Sequence, residues 1–125
     1  MVSGGELSRI SLAIQVITSR QAAVPTLIFD EVDAGIGGAV AEVVGRNLKA
    51  LGKGRQVLCV THLPQVAAQA NSQWTVEKTL EDGAVKSQVR ILGDAARIDE
   101  IARMLGGVQV TAPTRRHAAE MLGSR

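Results

Sequence analysis

Apolar and polar positions alternate along this chain in blocks that predict a regular succession of helices and strands. Thr26 to Phe29 is an uncharged run of β-branched and bulky residues after Pro25, which is typical of a buried strand. Gln56 to Thr61 is a second run of the same character. Between the two, apolar residues recur on one helical face from about Ala39 to Leu51, and Gly52 is a suitable helix end. The order strand, helix, strand predicts that the two strands pair in parallel.

A helix is predicted at the start of the chain, because Ser3 and Glu6 form the capping-box pattern S-x-x-E. Gly4 and Gly5 in its first turn are costly for a helix. They favour a place where an anion approaches the backbone amides of the helix N-terminus, although a plainly capped helix accounts for the same pattern. The apolar face of this helix is predicted from residues spaced three, four and three positions apart: Leu7, Ile10, Ile14 and Ile17.

The last third of the chain predicts a hairpin followed by helices. Gln73 to Thr79 and Val85 to Ile91 have the composition of strands, and Glu81-Asp82-Gly83 between them is a turn signal. Helices are predicted over residues 94–105 and 114–122, and Pro64 opens a short one that reaches about Ala70. The chain is therefore predicted to be an α/β protein with parallel strands, flanking helices and a C-terminal β-hairpin.

Composition narrows the class of protein only a little further. The 125 residues suffice for one domain with a modest core, and a net charge of +2 argues neither for nor against a nucleic-acid partner. Phe29 and Trp74 are the only aromatic residues, which argues against a stacking platform for single strands. A single cysteine, Cys59, excludes an internal disulfide and is most simply a core residue. No stretch approaches the roughly 20 apolar residues that span a bilayer, so we expect a cytoplasmic protein.

Two adjacent carboxylates, Asp30 and Glu31, end the first predicted strand. Ligands of open α/β sheets bind at the carboxyl ends of the strands, so both side chains are expected at the mouth of a site. Asp30 is placed to hold a hydrated Mg²⁺, and Glu31 to orient or deprotonate a water. His62 follows the second strand and is expected on the same rim, where it is a candidate phosphate contact. A strand that simply runs into a solvated acidic turn is the alternative interpretation.

Three motifs in this order resemble the second half of an ABC-type ATPase head. Ser3-Gly4-Gly5-Glu6 looks like the signature loop, the strand ending in Asp30-Glu31 like the Walker B strand, and Thr61-His62 like the switch histidine. The residues after Glu31, Val32 to Gly37, resemble the SMC-like branch, because transporters usually have a proline and a small hydroxyl residue there.

Two longer segments, residues 61–68 and 101–107, resemble the bacterial DNA repair proteins of that branch, and the resemblance covers essentially the whole chain. It implies that Asp30 assists Mg²⁺, that Glu31 is the general base for water attacking the γ-phosphate of ATP, and that His62 contacts that phosphate. Asp33 would lie at the interface with a second head in an ATP-dependent homodimer. The residues that would bind the ATP of that second head are Ser3, Gly4, Gly5 and Glu6.

The chain departs from a complete head in one respect, since it has no phosphate loop of the form G-x-x-x-x-G-K-[ST]. Its only Gly-Lys pair is Gly52-Lys53, with Asn47 where the first glycine is required and Gly54 at the hydroxyl position. We therefore expect residues 1–125 to be the C-terminal lobe of a head whose missing N-terminal half carries the loop, and to be inactive alone. The resemblance further implies that DNA is a partner, that no membrane is involved and that the protein lies at the nucleoid. The implied function is ATP hydrolysis in DNA double-strand break repair and recombination.

Two alternatives use the same motifs. A nucleotide-binding-domain fragment of an ABC transporter would need a membrane partner, and the residues after Glu31 speak against it. A non-catalytic dimerisation module would use the carboxylates for structure only, and magnesium-dependent ATPase activity would exclude it.

Overall fold

The structure of the protein, a computed structural model, describes residues 4–21, 23–30, 33 and 35–123, and for residues 4–12 it describes the backbone only. Helices and strands alternate much as the apolar pattern predicts. In chain order they are α1 (Gly4–Gln21), β1 (Thr26–Asp30), α2 (Gly38–Leu51), β2 (Gln56–Val60), α3 (Pro64–Ala67), β3 (Trp74–Glu81), β4 (Ala84–Ile91), α4 (Asp94–Gly106) and α5 (Ala112–Gly123).

The strands β1 and β2 pair in parallel, which confirms the predicted strand–helix–strand unit. Phe29 lies opposite Cys59, and Asp30 lies opposite Val60. Because both strands end at this register position, the segments that follow them leave the sheet at the same edge. The parallel pairing therefore brings two distant parts of the sequence together at one rim.

One core forms where α2 covers a face of this sheet. The buried residues of α2 recur three or four positions apart, as the apolar stripe of an amphipathic helix requires. Burying a side chain of the size of leucine or phenylalanine contributes on the order of 1.5–3 kcal/mol. The buried members of this cluster are Val16, Phe29, Ala41, Val44, Leu48, Leu51 and Val66.

The two strands are less buried than their composition predicts. Phe29 is 4% exposed, but Ile28 beside it is 69% exposed and Val60 on β2 is 55% exposed. Alternate side chains of a strand point to opposite faces, and α2 packs on only one face of this sheet. The two strands are therefore covered on one face in this chain, since no described residue packs on the other, and their full burial stays a prediction for a chain completed by its missing half.

Helix α1 does not bury the face that its spacing predicts. Ile14 and Ile17 are 60% and 62% exposed, whereas Val16 is 7% exposed and packs against the α2 core. The predicted stripe still shares one side of α1, but the two of its residues whose side chains are described are not covered by the rest of the described chain. The C-terminal end of α1 is held by Arg55, whose Nη1 donates to the Ser19 carbonyl at 2.6 Å.

The strands β3 and β4 form the predicted hairpin. Asp82 and Gly83 connect them with φ of 50° and 78°, as the two-residue turns that match strand twist require. The register places apolar residues on one exposed face, and the cross-strand ion pairs Glu77–Arg90 and Glu81–Lys86 stand on the other. The exposed apolar residues are Trp74, Val76, Leu80, Val85, Val89 and Ile91.

A second core joins α4 and α5 to the segment after α3. Ile101, Ala102 and Ala118 are fully buried in it. Arg97 is also buried, and its Nη2 donates to the Ala67 carbonyl at 3.1 Å and to the Ala70 carbonyl at 2.6 Å. Helix α3 ends three residues earlier than predicted, because the Gln69 and Ala70 N–H groups donate to the carbonyls only three residues back, so the chain turns more tightly than an α-helix.

Candidate functional site

The carboxyl ends of β1 and β2 form a rim that carries ionisable side chains. Asp30 is the last residue of β1, and its side chain is exposed. His62 lies two positions beyond the end of β2, and its side chain is 68% exposed. The parallel register brings these residues to the same edge of the sheet, as predicted. Both are accessible to a ligand that approaches this edge.

Asp33 lies beneath this rim and is fully buried. The Thr61 hydroxyl donates a hydrogen bond to its Oδ2, and the Leu63 backbone N–H donates to the same hydroxyl oxygen at 3.0 Å. The Ile36 N–H donates to the Asp33 carbonyl at 3.2 Å. These bonds connect the turn after β1 with the loop after β2, so the two halves of the rim are held as one unit.

The second carboxylate oxygen of Asp33 is in a different situation. Its Oδ1 is buried and has no hydrogen-bond partner among the described residues. The nearest cationic candidate is His62, whose Nδ1 lies 3.7 Å from Oδ1, beyond hydrogen-bond distance. A buried acceptor without a hydrogen bond is costly. A donor is therefore expected to approach this oxygen, and His62 is the candidate.

Cys59 is excluded as a reactive group of this site. The pKa of the Cys59 thiol is raised to about 11, mainly by burial and secondly by the negative charge of Asp33. The thiolate is the reactive form of cysteine, so this thiol stays protonated and inert at neutral pH. That outcome agrees with the predicted role of Cys59 as a small core residue.

The other predicted site residues are described only in part. Ser3 and Glu31 lie outside the described residues. Gly4, Gly5 and Glu6 form the first turn of α1, which places them at a helix N-terminus as predicted. The roles of all five residues stay predictions.

The rim has the donor set that a magnesium-bound phosphate group needs from a protein. The part of the chain that the structure describes contains no cluster of three His, Cys, Asp or Glu side chains for a metal. Mg²⁺ usually keeps several waters and takes one or two carboxylates together with phosphate oxygens. The exposed carboxylate of Asp30 fits that requirement, and His62 offers a nitrogen donor at the same edge of the sheet.

The structural role of Thr61 in this site was not predicted from the sequence. Within an apolar run its β-branched side chain has the character of any strand residue, yet its hydroxyl makes both bonds that fix the loop before α3. A hydroxyl at a strand end directly before a histidine was the available signal.

The fold has a counterpart among solved structures. It is similar to a solved structure described as "Structural biochemistry of ATP-driven dimerization and DNA stimulated activation of SMC ATPases", with a TM-score of 0.67 and 22% sequence identity. The similarity covers 86% of this chain and 64% of that chain. The α/β fold, with its parallel sheet and antiparallel hairpin, is therefore similar to that of an SMC ATPase head, as predicted.

Relatives by sequence identify the particular protein that the chain resembles. It is 54% identical to the DNA repair protein RecN of Haemophilus influenzae, 52% to that of Xylella fastidiosa strain Temecula1 and 48% to that of Bacillus subtilis. Each match covers 98% of this chain but only 21–22% of the relative, in its C-terminal part. The predicted resemblance to bacterial DNA repair proteins of the SMC-like branch is confirmed, and the proteins that the chain resembles are RecN.

No protein-family model matches the chain. In the described ranges, no helix combines the length and the apolar character needed to cross a membrane.

Proposed function

We propose that this chain is the C-terminal part of a RecN-like ATPase head that binds and hydrolyses ATP at an interface between two heads, in DNA double-strand break repair and recombination. The observation that supports the proposal is the sheet edge at which β1 ends in Asp30 and His62 follows β2, with Asp33 buried 3.7 Å from His62, in a fold similar to an SMC ATPase head. The resemblance to RecN over 98% of the chain supports the repair role.

Residues 1–125 act in this proposal as one lobe of the head. The phosphate loop comes from the N-terminal half, which agrees with a chain that spans 22% of its relatives and contains no such motif. The exposed faces of the β1–β2 sheet and of α1 support the presence of a covering partner of this kind.

The residues of this chain divide the chemistry between them. Asp30 holds Mg²⁺, Glu31 accepts a proton from the attacking water, and His62 donates a hydrogen bond to the γ-phosphate. Bound magnesium supplies the neutralisation of phosphate charge that phosphoryl transfer requires. Glu31 lies outside the described residues, so its role rests on its position beside Asp30 in the sequence.

The signature residues act across the dimer in this proposal. Gly4, Gly5 and Glu6 open α1, and Ser3 directly precedes them in the sequence. The amides of a helix N-terminus favour an anion such as the phosphates of ATP on the opposing head. The prediction that Asp33 lies at this interface stays a prediction, and its buried carboxylate supports a contact within its own chain.

The test is an ATPase assay on the head completed by co-expression with the N-terminal remainder. We expect magnesium-dependent hydrolysis that DNA stimulates. Glu31→Gln should retain ATP binding and lower the rate by at least about 10²-fold, the usual scale for a lost general base. Glu42→Gln on α2, which is the same change at an exposed position, is the matched control and should leave the rate unchanged.

The alternatives predict different results. A head without magnesium-dependent turnover would be a dimerisation module, and a head that turns over without any response to DNA would favour the transporter fragment. Hydrolysis by Glu31→Gln at the unsubstituted rate would assign the base to another group.

A further inference from the structure

The two oxygens of the Asp33 carboxylate are used unequally. Oδ2 accepts the hydrogen bond of the Thr61 hydroxyl, which itself accepts from Leu63. Oδ1 is equally buried, makes no hydrogen bond and lies 3.7 Å from Nδ1 of His62. A structural carboxylate that only tied the two loops together would need one oxygen. The second is aimed at the exposed imidazole.

We propose that Asp33 is a positioning residue for His62. A small rotation of the ring brings Nδ1–H onto the buried Oδ1, and the Asp33 side chain is already fixed by Thr61. The bond sets the orientation of the imidazole, so that Nε2 points away from the protein. The inference rests on the proposed function, because it assumes that Nε2 faces a phosphate at the rim.

The chemistry of the ring supports this arrangement. Only the imidazolium form of histidine has a donor on both nitrogens. A buried carboxylate on one side and a phosphate on the other each accept one of these bonds, and charge-assisted hydrogen bonds of this kind are strong and directional. The arrangement also connects the turn after the acidic strand directly with the group that contacts the phosphate.

The burial of the two partners differs in a way that suits the role. The Asp33 side chain is 1% exposed, whereas that of His62 is 68% exposed. A carboxylate held in the interior is a rigid reference point, and an exposed ring is free to adjust to a ligand. We therefore expect the contact to close when ATP binds.

The first test is spectroscopic and requires no change at Asp33. In the complete head with a non-hydrolysable ATP analogue and Mg²⁺, the ¹⁵N shifts of the His62 ring should show a proton on Nδ1. The signals are assigned by their loss in His62→Gln. In Asp33→Asn the Nδ1 shift should change. A ring whose Nδ1 carries no proton in the ATP-bound head overturns the proposal.

The second test is a double-mutant cycle on ATPase activity. Asp33→Asn keeps the side-chain volume and should lower kcat roughly 10-fold or more, the scale of one lost charged hydrogen bond, with little change in KM. His62→Ala should lose activity as well, and the double variant should be no slower than His62→Ala alone. Asp99→Asn, in an exposed pair with Arg115, is the matched control and should be neutral.

The outcomes separate the two hypotheses. Additive losses in the cycle, or an Asp33→Asn head with unchanged kcat, overturn the positioning role while His62 keeps its place at the phosphate. A His62→Ala head with full activity instead removes the proposed phosphate contact itself.

Discussion

Arg97 shows at the scale of one residue how the second half of the chain is held. It is 6% exposed, and its guanidinium donates to the carbonyls of Ala67 and Ala70 and to Oε1 of Gln73. The fork of guanidinium donors suits several acceptors at once, whereas an ammonium is a single point of donation. One side chain of α4 thereby fixes the backbone that leads from α3 into the hairpin.

We predict that Arg97→Lys destabilises the completed head by about 2 kcal/mol, the scale of a lost hydrogen bond to a charged group. Arg116→Lys on the exposed surface of α5 is the matched control and should stay within about 0.5 kcal/mol. Chemical denaturation of the two variants measures the difference. Equal unfolding midpoints for both variants would mean that the Arg97 bonds contribute nothing beyond its charge.

Only some of the site's residue contacts could be predicted from the sequence. The shared rim of Asp30 and His62 follows from strand order and parallel pairing, both of which are readable in the apolar pattern. The burial of Asp33 and its contact with Thr61 do not follow, because a side-chain hydrogen bond depends on the tertiary position of two loops. The burial of Arg97 could not be predicted either, since a charged helix residue is ordinarily exposed.

At the scale of elements, α2 and α3 pack closely at Gly45. A Cβ at this position would stand 2.8 Å from Cγ of Gln69 and 3.1 Å from the carbonyl oxygen of Gln65. The Gln69 side chain can move, but the Gln65 backbone belongs to α3. The contact matters for the site, because α3 begins two residues after His62.

Gly45→Ala should therefore lower stability by roughly 1–3 kcal/mol through overpacking, although alanine is intrinsically better in a helix by about 1 kcal/mol. Gly123→Ala in α5 is the control, because a Cβ there meets nothing within 4 Å. Thermal melts of both variants measure the effect. A gain in melting temperature for Gly45→Ala would contradict this prediction, because it would mean that α2 and α3 accommodate the extra methyl group without a loss of stability.

The bounds of most elements could be predicted from periodicity to within one or two residues, and the hairpin from its turn signal. The inward face of α1 and the end of α3 could not. Spacing identifies an apolar stripe but not the neighbour that covers it, and Ile14 and Ile17 are exposed among the described residues. The backbone at the end of α3 bonds to Arg97, which lies some thirty positions later and is invisible to local spacing.

At the scale of the whole molecule, the described residues expose apolar surface on both sheets and on α1. The hairpin presents one apolar face, the β1–β2 sheet presents Ile28 and Val60, and α1 presents Ile17. Exposed apolar faces and open strand edges favour association. These are the surfaces expected to be covered in a complete head.

We therefore expect the 125-residue chain alone to associate in a concentration-dependent manner, measured by light scattering. Val89→Lys on the apolar face of the hairpin should reduce the association. Gln88→Lys, one position away on the charged face opposite Glu77, should not. A chain that stays monomeric and melts cooperatively at high concentration would contradict the proposal that it is one lobe of a larger head.

The last prediction tests whether the ATP site is built from two molecules. Ser3 precedes α1, and in the proposed arrangement it meets the ATP of the opposing head, while Asp30 and Glu31 serve the ATP of their own. Ser3→Arg in a completed head should then leave ATP binding to the monomer nearly intact. It should abolish ATP-dependent dimerisation, because the longer side chain enters the space of the γ-phosphate. Ser3→Arg heads that dimerise with ATP as well as unsubstituted heads would contradict this arrangement.

Mixing Ser3→Arg heads with Glu31→Gln heads then distinguishes action across the interface from action within one head. If Ser3 acts on the opposing ATP, one site of a mixed dimer carries both substitutions, and the other carries neither. Mixing therefore restores some hydrolysis, provided that one intact site holds the dimer together. If Ser3 acts on the ATP of its own head, each site keeps one substitution and the mixture stays as inactive as its components. The rate of the mixture thus measures which head each motif serves.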